Sequence, residues 1–237
     1  MFSEDLFELS QISTKTQKHL TKVYFALATG LLSSVLTFII FQNLAFSTFF
    51  YYIFFIMSIA SLISDIVLIF SNKNTSFYHK LNLFSFYGYA ISLGGLLGTG
   101  IANLTKYDKL IFNQLSLQAL FLTSLVFLAF TMFSILTSNR LAIYSGATLL
   151  AFVLSIISFF IWNVMFEIIV GVIIACLYII IDSQRIIFNC ENNNNNNVFH
   201  DAKMLFVDFA QIFFKILMYL LKKKEEEEEE KKKKKKN

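Results

Sequence analysis

Apolar residues occur in long runs along this chain, and short polar stretches separate the runs. Six runs lie at 22–41, 48–70, 82–104, 115–136, 141–161 and 164–182. Each run is about 20 residues long, the length that an α-helix needs to cross the hydrocarbon core of a bilayer. The pattern predicts six membrane-spanning helices.

A seventh segment, residues 199–221, is apolar enough to enter a membrane but carries a polar stripe. Asp201, Asp208 and Lys215 are seven residues apart, so they lie nearly in line along a helix, with Gln211 beside them. Two interpretations are open: an amphipathic helix on the membrane surface, or a helix enclosed by the others. We favour the second and predict an all-α polytopic membrane protein, with six spanning helices plus a seventh membrane-inserted C-terminal helix that crosses or re-enters.

The two ends of the chain and one loop differ from this apolar body. Residues 1–21 are polar, and we predict that they form a cytoplasmic N-terminus before a seven-helix membrane domain at 22–221. The loop 189–198 contains six consecutive asparagines. Residues 222–237 consist of blocks of like charge and are predicted to be a disordered tail.

Charge is scarce outside the tail, which excludes a soluble enzyme. Fifteen of the 36 charged residues lie in the last sixteen positions, whereas a soluble domain carries roughly 25% charged residues throughout.

With the N-terminus inside, the loops place eight Lys and Arg in the cytoplasm and two on the other side, which favours that orientation. We favour both termini in the cytoplasm. No basic aromatic surface suggests a nucleic-acid partner.

Gly94 and Gly98 in the third run have a small-xxx-small spacing that lets two helices approach closely.

Two further strings are more informative about the family of the protein: GVIIACLYIIIDSQRII (171–187) and MLFVDFAQIFFKILM (204–218). They resemble the C-terminal signature of the Bax inhibitor-1 family, which has Asp-Thr-Gln at the end of the sixth span and Leu-Phe-x-Asp-Phe in the last. The resemblance extends over roughly residues 17–221. Bacterial relatives have a basic residue in the second span, but 48–70 contains no Lys or Arg.

The resemblance implies a pH-sensitive Ca²⁺ leak channel of the endoplasmic reticulum membrane that suppresses programmed cell death. Asp182 and Asp208 are the candidate pH-sensing and ion-pathway residues. At ~4 Å and an effective dielectric of ~20, two carboxylates repel by about 4 kcal/mol, so the pair would share a proton. Without that proton, their oxygens suit Ca²⁺, which makes Asp182 and Asp208 possible metal ligands. The candidate modulators of the pair are Arg185, Gln211, Lys215, Asp201 and His200.

Several alternatives stay open at this stage. Asp182 could pair with Arg185, and Asp208 with Lys215 or Gln211, as simple charge neutralisation. The protein could be a non-conducting regulator that binds death- or stress-signalling membrane proteins, or a Ca²⁺/H⁺ exchanger. We do not expect an enzyme, because the Tyr-Asp and Gly-x-Gly-Asp contexts of intramembrane aspartyl proteases are missing. The expected partners are membrane lipids, Ca²⁺ and death-regulating membrane proteins. We expect no cofactor, and Ca²⁺ and H⁺ are the transported or regulating ions.

Overall fold

The computed structural model describes residues 12–42, 47–71, 75–103, 109–137, 140–160, 164–192 and 197–236. These residues form seven α-helices and no β-strand, which confirms the predicted all-α fold. The helices are α1 (Thr14–Phe41), α2 (Ser47–Phe70), α3 (Ser76–Asn103), α4 (Lys109–Leu136), α5 (Arg140–Phe160), α6 (Val164–Asn192) and α7 (Val198–Lys236).

Six of these helices, α1 to α4, α6 and α7, are long and apolar enough to cross a membrane. In α5 the apolar stretch is shorter, Ala142–Ile157. Large apolar side chains are exposed on the helix surfaces, including Ile69 at 77% and Phe70 at 84%. A soluble protein rarely exposes so much apolar surface, whereas lipid tails are its natural neighbours in a bilayer. The chain is therefore a multi-pass membrane protein.

The helices group into two compact units. One comprises Lys15–Asp108 and Asn194–Phe206, and we call it the α1–α3 unit. The other comprises Met1–Thr14, Lys109–Asn193 and Val207–Asn237, and we call it the α4–α6 unit. The first turns of α7 thus belong to the α1–α3 unit, and the rest of this helix belongs to the α4–α6 unit.

Within the α1–α3 unit, two glycines let α3 approach α1 closely. A Cβ atom added at Gly94 would overlap the backbone of Ser34. One added at Gly98 would lie 2.7 Å from the carbonyl oxygen of Phe38. The close helix approach that the spacing predicted is confirmed, and it explains why neither position accepts a side chain easily.

Within the α4–α6 unit, α6 packs against both α4 and α5. Small residues on α5 face larger ones on α6, so the two helices pack closely. The buried cluster consists of Ala147, Ala151, Leu177, Ile180 and Ile181, with Phe130, Ile143 and Leu154 packed against it. This contact fixes the rotation of α6, and therefore the direction in which its polar residues point.

Several helix ends lie beyond the boundaries that the sequence predicted. α1 begins at Thr14 instead of residue 22, so part of the predicted polar N-terminus is helical. α6 continues to Asn192, and α7 begins at Val198, which shortens the predicted loop at 189–198; Asn193–Asn196 lie outside the described residues. Asn197 caps α7, because its side-chain oxygen accepts a hydrogen bond from the backbone N–H of His200 at 3.3 Å.

The charged tail is helical as far as Lys236, whereas the sequence predicted disorder. Glu and Lys are both strong helix formers. Glu227–Glu230 stand four residues before Lys231–Lys234, which is the favourable order for ion pairs along a helix. The prediction considered the repulsion within each block and overlooked the attraction between the blocks.

Candidate functional site

The α4–α6 unit brings Asp182 of α6 and Asp208 of α7 into contact. The Asp208 side chain is buried, and a hydrogen bond joins it to Asp182, whose charge also acts on it. A hydrogen bond between two carboxyl groups needs a proton on one of them, so this arrangement favours a proton shared by the pair. The Oδ2 atom of Asp208 has no hydrogen-bond partner among the described residues.

Gln184, two residues after Asp182, anchors this part of α6 to α4. Its side-chain amide donates hydrogen bonds to the backbone oxygen of Ser134 and, at 3.1 Å, to the Ser134 hydroxyl. The Ser134 hydroxyl in turn donates to the carbonyl oxygen of Ile180 at 3.3 Å. Ser134 and Gln184 are both buried. The Asp182-Ser183-Gln184 string therefore has a division of roles: Gln184 fixes the helix, and Asp182 meets the second carboxyl group.

The candidate modulators in this unit do not pair with Asp208. Lys215 lies 3.9 Å from the Oε1 atom of Glu167 and packs over Gly171. Arg185 and Gln211 are exposed. Asp208 contacts Asp182 instead of Lys215, so the simple neutralisation that we considered for Asp208 is not what the structure shows.

The other two candidate modulators belong to the α1–α3 unit. His200 is exposed. Asp201 accepts a hydrogen bond at 2.7 Å from Nε2 of His19, and both side chains are largely shielded, with exposed fractions of 15% and 6%. This contact ties the start of α7 to α1 and gives Asp201 a structural partner.

The sequence analysis missed a buried polar cluster around Lys203 in the α1–α3 unit. The ammonium of Lys203 donates to Asp65 Oδ2 at 2.7 Å, to Ser85 Oγ at 2.8 Å and to the Ser61 carbonyl oxygen at 3.3 Å. Ser85 donates to the other oxygen of Asp65, and the Lys203 ammonium lies 5.1 Å from the centre of the Tyr89 ring. Each ammonium proton therefore has an acceptor. Asp65 is the only charged residue at 48–70, and a lone charge in an apolar span was the signal that it needs a partner.

One known protein family matches most of the chain. The family described as "Inhibitor of apoptosis-promoting Bax1" matches residues 16–225. The chain belongs to the Bax inhibitor-1 family. The matched range contains Asp182, Gln184, Lys203 and Asp208, and the match confirms the resemblance noted in the sequence.

Named relatives match over nearly the whole chain. "Bax inhibitor 1 homolog" of Dictyostelium discoideum is 29% identical over 90% of this chain and 84% of its own length. "Probable Bax inhibitor 1" of Paralichthys olivaceus is 27% identical over 92% of this chain and 91% of its own length. "Bax inhibitor 1" of Homo sapiens is 26% identical over 91% of this chain and 90% of its own length. No solved structure shows significant similarity.

Proposed function

We propose that this protein is a pH-sensitive Ca²⁺ leak channel that suppresses programmed cell death. The contact between Asp182 and Asp208 supports the proposal, because two carboxyl groups in contact inside a membrane protein favour a shared proton. Suppression of cell death is supported by membership of the family and by the names of the relatives. The protein acts without a cofactor, and Ca²⁺ is the transported ion.

The proposed mechanism depends on the protonation state of the aspartate pair. With one proton, the two carboxyl groups form a hydrogen bond that joins α6 to α7. Without it, two negative charges are in contact in a site of low dielectric constant, where they repel each other strongly and attract a divalent cation. Carboxylate oxygens are preferred ligands of Ca²⁺, which completes its shell with water or hydroxyl groups. Loss of the proton therefore changes both the helix contact and the affinity for the ion.

Other charged groups in the α4–α6 unit affect the pair less directly. Glu167 and Lys215 approach each other at 3.9 Å, with side-chain exposed fractions of 60% and 32%. Because their opposite charges offset each other, their influence on the aspartate pair is small. Arg185 is exposed on the surface of α6. We assign the pH sensitivity to Asp182 and Asp208 themselves.

We place the protein in the endoplasmic reticulum membrane with its N-terminus in the cytoplasm. The excess of Lys and Arg in alternate loops supports this orientation. Protease protection of tagged termini in intact microsomes tests the orientation, and a protected N-terminal tag would contradict it.

Ca²⁺ flux from liposomes tests the proposed channel. Purified protein is reconstituted with an entrapped Ca²⁺-sensitive dye, and flux is measured over a series of pH values. We expect Asp182→Asn and Asp208→Asn each to change the flux and to flatten its pH dependence. Glu167→Gln is the matched control, because it removes an exposed carboxylate from the same unit, and it should leave the pH curve intact.

The same assay separates the alternatives. A non-conducting regulator would give no flux above protein-free liposomes, and its activity in cells would survive Asp208→Asn. A Ca²⁺/H⁺ exchanger would move protons against Ca²⁺ and would respond to an imposed pH gradient. Unaltered pH curves in both aspartate variants would refute the proposed mechanism.

A further inference from the structure

A row of polar side chains follows the buried face of α4. At 100° per residue, its members fall within an arc of about 80°. From first to last they cover about 32 Å of the helix axis, close to the ~30 Å thickness of the hydrocarbon core. The row consists of Asn113, Ser116, Thr123, Thr131 and Ser134.

Most of these side chains keep an oxygen without a hydrogen-bond partner among the described residues. This holds for the Oγ atom of Ser116, the Oγ1 atoms of Thr123 and Thr131, and Oδ1 of Asn113. Thr123 is 0% exposed and Thr131 is 6% exposed, so lipid headgroups and bulk water do not reach them. The unpartnered oxygens lie along most of the length of the row.

The hydroxyls of Ser116, Thr123 and Thr131 do not form the hydrogen bond to their own helix backbone that such groups usually form. A helical Ser or Thr can donate to the backbone carbonyl three or four residues earlier. Ser124, the direct neighbour of Thr123, does so with the Leu120 carbonyl at 2.8 Å. Because unsatisfied polar groups are strongly disfavoured at membrane depth, the unpartnered oxygens of Thr123 and Thr131 indicate a polar ligand.

The same face of α4 contacts the two helices that carry the aspartates, α6 through Gln184 and α7 through Phe209. At its far end, Ser134 bonds Gln184 beside Asp182. Two further oxygens without partners among the described residues lie in this unit: Oγ of Ser183, which is 0% exposed, and Oδ2 of Asp208. The signature strings of α6 and α7 therefore each contribute one unpartnered oxygen, in addition to those on α4.

An aromatic pair interrupts the row between Thr123 and Thr131. Phe127 lies one turn from each of them and is buried. Its ring packs edge-on against Phe209, with 5.5 Å between the ring centres. Phe209 directly follows Asp208 in the chain. The interruption is thus apolar, and one of its two rings belongs to the residue that follows Asp208 in the chain.

We propose that the polar face of α4 lines the path of hydrated Ca²⁺ and that the contact between Phe127 and Phe209 is its gate. This inference rests on the proposed function and deepens it. The hydroxyl oxygens replace part of the hydration shell of the ion, while the aromatic pair excludes water when it is closed. Hydrophobic constrictions of this kind gate other channels by dewetting. Movement of α7 when the aspartate pair loses its proton would separate the rings.

Ca²⁺ flux tests both parts of the path, with neighbours as controls. Thr123→Val keeps the shape but removes the hydroxyl, and we expect about fivefold less flux, the factor that corresponds to a hydrogen bond of about 1 kcal/mol. Ser124→Ala should leave flux unchanged, because that hydroxyl is bonded within its own helix. Phe127→Ala should raise flux severalfold, whereas Phe121→Ala should not, since Phe121 is 65% exposed on the outer surface.

Thiol labelling tests the path without measuring flux. Cys176 and Cys190, the two cysteines of the chain, are first replaced by Ala. A membrane-impermeant, cationic methanethiosulfonate reagent should modify Thr123→Cys, and faster when Phe127→Ala is also present. Leu122→Cys, at an exposed apolar position, should stay unmodified in the bilayer.

The outcomes distinguish the two proposals. If the wild-type protein gives no flux, the channel function fails, and labelling alone then decides whether the α4 face is hydrated. If Asp208→Asn alters flux while Thr123→Val and Phe127→Ala match their controls, the channel function stands and the α4 path is refuted. If the reagent modifies Leu122→Cys as fast as Thr123→Cys, the α4 face is not a selective aqueous path.

Discussion

Replacing Lys203 with Met should destabilise the protein, because it removes the centre of the buried cluster in the α1–α3 unit. Methionine keeps an unbranched apolar side chain of similar length but lacks the ammonium group. The change deletes the hydrogen bonds to Asp65, Ser85 and the Ser61 carbonyl. Asp65 then keeps only the hydroxyl of Ser85 as a donor within the cluster.

The size of the effect follows from the burial of the two charges. Breaking a buried ion pair by removing one partner costs about 3–5 kcal/mol. The Lys203 side chain is 8% exposed but that of Asp65 is 34% exposed, so the remaining carboxylate keeps some access to its surroundings. We therefore expect the low end, about 3 kcal/mol. For a domain of about this size, that is a fall in Tm of roughly 6–12 °C.

Thermal unfolding of the purified protein in detergent measures this change. Lys80→Met is the matched control, because Lys80 is an exposed lysine of the same unit and should change Tm little. The double variant Asp65→Asn, Lys203→Met removes both charges and should be more stable than Lys203→Met alone, with a coupling of about 2 kcal/mol. A Lys203→Met variant as stable as Lys80→Met would refute the reasoning, and so would strict additivity in the double variant.

Three further predictions concern packing and charge, and each is measured by unfolding or circular dichroism. Gly94→Ala should cost about 1–3 kcal/mol, because its Cβ overlaps the α1 backbone; Gly100→Ala, with nothing within 4 Å, should not destabilise, and equal losses would contradict the packing argument. His19→Phe should cost about 2 kcal/mol by leaving Asp201 without its donor; no loss would show that this contact is not stabilising. Replacing Glu227–Glu230 with Gln should lower tail helicity at low salt but not at high salt, and a salt-independent result would exclude ion pairing.

The spans and the aspartate pair were predictable because both leave a local trace in the sequence. A helix must be about 20 apolar residues long to cross a bilayer, so the runs could be counted directly. Asp182 and Asp208 are ionisable residues within apolar strings, and such residues usually meet a partner inside the membrane. The structure confirms that they meet. Their role in ion transport stays a prediction.

The Lys203 cluster could not be predicted in the same way. Lys203 and Asp65 are 138 positions apart, and their contact depends on how α2 and α7 are rotated about their axes. That rotation results from packing between helices, as where Phe54 of α2 lies close against Gly95 of α3. Single-residue signals indicate that a buried charge needs a partner but do not say which one. The same limit applies to the pairing of His19 with Asp201.

The Lys203 cluster of the α1–α3 unit and the polar row on α4 differ in one respect that bears on function. In the α1–α3 unit, Lys203 has an acceptor for each proton and His19 has Asp201. In the α4–α6 unit, Thr123, Thr131 and Asp208 keep oxygens without partners among the described residues.

A membrane interior disfavours unsatisfied polar groups, so a satisfied cluster is explained by stability alone, whereas an unsatisfied row needs a ligand. Lys203→Met should therefore lower stability and leave the pH curve of the remaining folded protein unchanged. Asp208→Asn should alter the pH curve more than it alters stability. If the two variants exchanged these effects, the ion chemistry would belong to the α1–α3 unit instead.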